Sequence, residues 1–244
     1  MKKFLLYIVV WVSFFSCKRA DDAFKSYGKD ITLERQVGAF AKIFVGDKFD
    51  VVLVQDSMQA GKVLITAGEN VIDGYETVVR NGELRIENKN IFNWVRKLKV
   101  RQKVVVFFKE IEFLSIQSSA KVSCVDSIVS ETKIFIDHGG LEDAALKINS
   151  DYLYVNCTNT GGLFLTGKAF LLSASIDDIS FLNAIHFLPQ KAYLSSFSLS
   201  NSFVAASNVL EINNHGEATV FYKEIAGAQI NKINFGKGKI VKVN

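Results

Sequence analysis

Asp177 and Asp178 are adjacent carboxylates, and the first chemistry to consider for them is glycoside hydrolysis. That reaction needs two carboxyl groups flanking one glycosidic bond. Consecutive residues of a strand, however, point to opposite faces, and no partner group is identifiable nearby in the sequence. A solvated turn is the expected role of this pair. His138 and His215 each precede a glycine in separate stretches of similar pattern, too far apart along the chain to share a site. Local turn roles are expected for both. Cys124 and Cys157 read as small core residues, since free cysteine is commonly buried. No Cys–His pairing or CxxC or HExxH spacing supports nucleophilic or metal chemistry. The reading is a non-enzyme with no cofactor and no metal.

One surface candidate is basic. In WVRKLKVRQK, Lys97, Lys99, Arg101 and Lys103 alternate with Leu98, Val100, Gln102 and Val104, beside Trp94 and Arg96. On a strand these cations line one face, suited to anionic lipid, lipopolysaccharide or acidic glycan. A solvated edge strand protected by its charges explains the same pattern. The whole chain carries a net charge of only +4 over 244 residues, too little to imply a nucleic-acid partner.

The elements that must position these residues are strands. Ile43 and Val45 share one face of a short run, and Phe49, Val51 and Leu53 share one face of the next, across a Gly46–Asp47 turn. Asn81–Gly82 between YETVVR and ELRIEN is the signature of a type I′ hairpin. KVVVFF, with Phe107 and Phe108 on opposite faces, is another strand. LEDAALKI is the main helical candidate, yet it falls inside a repeat whose other copies read as strands, so a strand is expected there too.

That repeat begins after Phe113. Its copies align at Val122, Leu141, Leu163, Ile179, Leu199, Ala218 and Ile240, spaced about 20 residues apart. A period of this size marks a solenoid. The leucine and asparagine ladder of leucine-rich repeats is missing, whereas three short strands and their turns fit one coil of a parallel β-helix. An antiparallel sandwich is the alternative. Gly139–Gly140, Gly161–Gly162, Gly216 and Gly236–Gly238 are expected at tight corners, as is the single proline, Pro189.

The N-terminus is separate in character. Lys2 and Lys3 precede twelve apolar or near-apolar residues, Phe4 to Phe15. This is the length of a signal-peptide core and too short to span a bilayer comfortably. Ser16 and Cys17 follow, then the polar Lys18, Arg19, Asp21 and Asp22. The arrangement resembles a bacterial lipoprotein signal, in which the cysteine is acylated and becomes the first residue. Phe14 and Phe15 depart from that motif's usual smaller or leucine-like residues. An ordinary secretory signal, an uncleaved anchor and a buried N-terminal strand are the alternatives. The expected organisation is a signal peptide at 1–16, an anchor and linker at 17–36, and a β-helix domain at 37–244.

VGAFAKIFVGDKFDVVLVQDS and KVLITAGENVIDGYETVVRNGELRIENKN, with Phe40, Ile43, Phe49–Asp50–Val51, Gly68–Glu69–Asn70 and Asn81–Gly82, resemble the opening of the head GIN domain family, whose members are labelled autotransporter adhesins and are common in Bacteroidetes. KVVVFFKEIEFLSIQSSAKV resembles that family's entry into its repeats. The resemblance implies an all-β, right-handed single-stranded parallel β-helix with a hairpin in its N-terminal portion, a cell-envelope location and no carried-over catalytic residues. The family's serine–glycine–acid corners are replaced here by Ser118–Ser119–Ala120, His138–Gly139–Gly140, Ile176–Asp177–Asp178 and His215–Gly216–Glu217. The resulting expectation is a lipid-anchored outer-membrane protein whose solenoid presents a binding or adhesive surface. Its partners are membrane lipid, through acylated Cys17, and a glycan or an envelope protein. A polysaccharide-active enzyme and a structural assembly module are the alternatives.

Overall fold

The computed structural model describes residues 26–90 and 101–243. Cys17 and four members of the basic run, Trp94, Arg96, Lys97 and Lys99, lie outside the described residues.

Among the described residues, nineteen strands join into one hydrogen-bonded sheet that coils on itself. The N-terminal portion contains β1 (Asp30–Gln36), β2 (Lys42–Val45), β3 (Phe49–Gln55), β4 (Lys62–Gly68), β5 (Tyr75–Arg80) and β6 (Glu83–Asn88). Then come β7 (Gln102–Phe108), β8 (Phe113–Ser118), β9 (Lys121–Cys124) and three long strands, β10 (Ile128–Gly140), β11 (Ala144–Cys157) and β12 (Gly162–Ile176). The C-terminal coils contribute β13 (Phe181–Phe187), β14 (Lys191–Ser196), β15 (Ser202–Ala205), β16 (Val209–Asn214), β17 (Val220–Lys223), β18 (Gln229–Asn234) and β19 (Ile240–Val243). The result is a parallel β-solenoid of about seven turns. LEDAALKI enters β11 as a strand.

Two walls run the length of the solenoid. The front wall carries β5, β6, β2 and β8, the second halves of β10, β11 and β12, then β14, β16 and β18. The back wall carries β1, β4, β7, β3 and β9, the first halves of β11 and β12, then β13, β15, β17 and β19. The long strands turn a corner between the walls, and there Ile128 to Ser130 pair with Ile148 to Ser150.

Alternation in each strand decides which side chains are inside. On the front wall Leu84, Ile43, Leu114, Ile136, Val155, Ala174, Leu194 and Ile212 follow one another in register and are almost wholly buried. Each leucine, isoleucine or valine of the column gains roughly 1.5–3 kcal/mol from burial only because the coils above and below cover it. The next residue in this column is Lys232. Its Nζ donates to Tyr222 Oη at 3.1 Å and sits over the Tyr222 ring, so a cation closes the apolar column at its C-terminal end.

The repeat period is right, and its phase slips at corners. Val122, Leu163 and Ile240 lie on inward columns, but Leu141, Ile179 and Leu199 are 56%, 51% and 59% exposed. The inward positions of those coils are Ala144, Leu182 and Ser202, three residues later in each case. An apolar residue precedes the turn, and strand alternation restarts only after it. Residues 30–36, placed in the linker by the sequence, form β1, which pairs antiparallel with β4 and closes the back wall. The Asn81–Gly82 hairpin is present, with φ of 51° and 73°.

Most corner glycines serve close approach rather than left-handed backbone. A Cβ on Gly216 would lie 2.2 Å from the Ser198 oxygen, and one on Gly162 would meet the Phe181 ring at 2.1 Å. Positive φ falls instead on Asn159 and Asp178, stacked one coil apart, with the Asp178 carboxylate accepting from the Asn159 N–H at 3.0 Å. The Asp177–Asp178 pair is therefore a turn device.

Replacing Ile136, fully buried in the front column, by alanine is expected to lower stability by about 2–5 kcal/mol. The exposed Leu199→Ala should stay within about 0.5 kcal/mol of the parent. Urea denaturation of both variants checks this.

Candidate functional site: the outer face of the front wall

The outward rows of the front wall follow the same register as the core. One row reads Phe113, Phe135, Tyr154, Ser173, Tyr193 and Glu211. Phe113 and Phe135 stack at 5.5 Å between centroids and 12° between planes. Phe135, Tyr154 and Tyr193 remain 37–38% exposed, held by their strands with one ring face or edge open. The neighbouring row, two residues further along each strand, is small and polar: Ser115, Asp137, Asn156, Ser175, Ser195 and Asn213. Asn156 Nδ2 donates to Asp137 Oδ1 at 2.9 Å, and Gln117 Nε2 donates to Asp137 Oδ2 at 3.1 Å. Amides and hydroxyls thus stand beside a row of rings, with about 4.8 Å between successive coils. Such a face offers apolar contact and directional hydrogen bonds together, the combination that suits a partner with both C–H faces and hydroxyl groups.

At the corner bordering this face, His215 lies between Phe197 and Phe235, with centroid separations of 4.4 and 4.5 Å and nearly parallel planes. Phe197 and Phe235 are 47% and 64% exposed. The turn role expected for His215 omitted this stack, because its three members are brought together only by coil register.

His138 has a different fate. Its backbone pairs with Cys157 on the next coil, and both side chains are fully buried. The imidazole occupies space that the neighbouring glycines leave: a Cβ on Gly161 would lie 2.7 Å from Nε2. Neither ring nitrogen makes a well-formed hydrogen bond. Burial pushes the His138 pKa down, and the backbone of Gly162 and Ile116 offsets only part of this. Burial pushes the Cys157 thiol up to about 12. The fold therefore does place a cysteine beside a histidine, which the sequence did not reveal, but both are held neutral and inaccessible. A thiolate nucleophile needs the opposite environment. Cys124 is also a free thiol, half-buried, and accepts from the Lys147 N–H at 3.1 Å.

Of the basic run, two members are described. Arg101 is bound to Glu142, donates to the Ser119 oxygen at 2.9 Å, and lies 3.5 Å from Asp50. It ties coils together rather than standing free. Lys103 is exposed on β7, in register with Asp50. β7 pairs with both β3 and β4, so the edge-strand explanation does not hold for residues 102–108. Phe108 is buried in the core, while Phe107 faces outward beneath Lys62. Among the described residues no group of acidic, histidine and cysteine side chains is arranged to hold a metal ion. None of their helices is long and apolar enough to cross a membrane.

A parallel β-solenoid with an aromatic and polar outer wall defines the class. Within it, the chain belongs to the family described as "Putative auto-transporter adhesin, head GIN domain", whose model matches residues 39–225. Solved structures of the same fold include a putative adhesin from Bacteroides fragilis, 15% identical, with a TM-score of 0.80 over 90% of this chain and 100% of its own. A protein from Parabacteroides distasonis described as a putative lipid binding protein is 21% identical, with a TM-score of 0.68 over 90% of this chain and 99% of its own. A putative adhesin from Parabacteroides merdae is 14% identical, with a TM-score of 0.68 and the same coverage. No curated protein matches the sequence.

Two outcomes follow from the buried pair. Cys157 should resist iodoacetamide at pH 8 in the native protein and react after unfolding, as peptide mass mapping would show. The folded pKa of His138 lies below its ordinary 6.5. Unfolded chains therefore bind the proton first as pH falls, so the stability associated with neutral His138 is complete above about pH 6.5 and declines below it. His138→Gln should flatten that decline in urea titrations.

Proposed function

We propose that this chain is a non-enzymatic lipoprotein of the cell envelope, tethered through acylated Cys17, that adheres to glycan through the outer face of its front wall. The observation that carries this reading is the open row Phe135, Tyr154 and Tyr193 beside the polar row Asp137, Asn156 and Ser195. Pyranose rings present apolar C–H faces and a rim of hydroxyls, and a flat wall with alternating rows meets both. An anchor of this kind needs multiple acyl chains for stable attachment, at about 0.8 kcal/mol per buried CH₂. Trp94, Arg96, Lys97 and Lys99, with Lys103, supply a basic segment suited to the anionic headgroups near such an anchor. Family membership and the adhesin descriptions of related structures support adhesion over catalysis.

Two measurements test the two halves. Mass analysis of the mature protein should find acyl groups on Cys17, and Cys17→Ser should move the protein from the membrane to the soluble fraction. A variant that stays equally membrane-bound removes the anchor. In affinity electrophoresis through envelope polysaccharide, the double variant Tyr154→Ala/Tyr193→Ala should lose retardation by about tenfold or more while keeping its circular dichroism. Unchanged retardation removes the front wall as the binding face.

A further inference from the structure

The corner that joins the two walls on the side of β10, β11 and β12 is grooved. One depression of about 630 Å³ is lined by Ser150, Asp151, Tyr152, Lys168 and Phe170, among others. A second, of about 680 Å³, is lined by Gln55, Ser57, Lys109, Glu110, Ser127 and Thr132. Val129, Ser130 and Glu131 line both, so the two adjoin along the corner as a trough that passes several coils. Each half is large enough for a drug-sized ligand, and together they suit a chain of linked units.

The trough is built and held. Gln55 fixes the shared wall residue Val129 by donating to the Val129 oxygen at 2.8 Å and accepting from the Val129 N–H at 2.7 Å. At the other end Tyr152 and Phe170 meet edge to face, 5.9 Å between centroids, and Lys191 lies over the Phe170 ring. Ser150 lines the same end, 8% exposed, and its Oγ has no hydrogen-bond partner.

We infer that this corner trough is a binding subsite for a linear, uncharged oligosaccharide, with Tyr152 and Phe170 as the apolar platform for one sugar ring. Glu131 and Asp151 accept from vicinal sugar hydroxyls, since ionised carboxylates offer only acceptors. Lys168 donates to sugar oxygens, and Gln190 does either. The lining carboxylates Glu110, Glu131 and Asp151 are matched by Lys109 and Lys168, with Lys191 at the rim, so the trough has no strong field to recruit a polyanion. It shares its ligand class with the proposed adhesive function but uses a different surface.

Isothermal titration of the full protein with cellohexaose, chitohexaose and an oligogalacturonate of similar length tests the assignment. At least one neutral hexamer should bind, and the oligogalacturonate should bind at least tenfold more weakly. Phe170→Ala, an exposed position, should weaken the neutral hexamer about tenfold, and Glu131→Gln/Asp151→Asn should weaken it further, while Leu199→Ala, an exposed corner position outside both surfaces, leaves it unchanged. Absence of binding by both neutral hexamers, or binding indifferent to Phe170→Ala, overturns the subsite. Polysaccharide retardation that still depends on Tyr154 and Tyr193 would then leave the front-wall reading standing. Shortening of a bound hexamer, read by chromatography after incubation, overturns the assignment of the trough as a binding site without catalysis.

Discussion

Everything in this molecule depends on parallel coils meeting in register. A single coil exposes its inward row to water above and below, and no individual strand here is long enough to hide it. Stacking does three things at once. It pairs the backbone groups, covers rows such as Leu114, Ile136 and Val155, and lines up the outward side chains as continuous rows. The aromatic row on the front wall is thus a by-product of the same ladder that builds the core. Its spacing is fixed by backbone hydrogen bonds rather than by contacts among the rings.

Polar groups inside the coil obey the same ladder. Asn214 and Asn234 occupy equivalent places on successive coils and join side chain to side chain at 3.1 Å, with Asn214 also donating to the Ala218 oxygen. Ser198 answers the Ser180 oxygen across 2.5 Å. His138 departs from this, a buried imidazole without a sound hydrogen bond, in a corner where glycines on its own and the next coil make room. The His138–Gly139–Gly140 corner therefore shapes the core, not only the turn.

Much of this was legible in the sequence. Two-residue alternation gave the strands of the first half, and Ile43, Val45, Phe49, Val51 and Leu53 are all buried as that alternation requires. Asn81–Gly82 encoded its hairpin locally. The 20-residue period encoded the stack, but its phase was lost wherever a corner carried an apolar residue, as at Leu141, Ile179 and Leu199. Contacts made by register alone left no local mark. Phe197, His215 and Phe235 are far apart in the chain, and so are Gln55 and Val129, which clamp the trough. Arg101 looked like one of several free cations, because its partners Asp50 and Glu142 come from other coils.

The lysine at the foot of the apolar column has a consequence for life in a crowd. Among the described residues, β18 pairs only with β16 and β19 only with β17, so their outer edges invite a second molecule to continue the sheet. A newcomer that did so in register would have to set its own hydrocarbon against the ammonium of Lys232 and strip that ion of water, at a cost of several kcal/mol. End-to-end stacking of copies into fibres is thereby disfavoured.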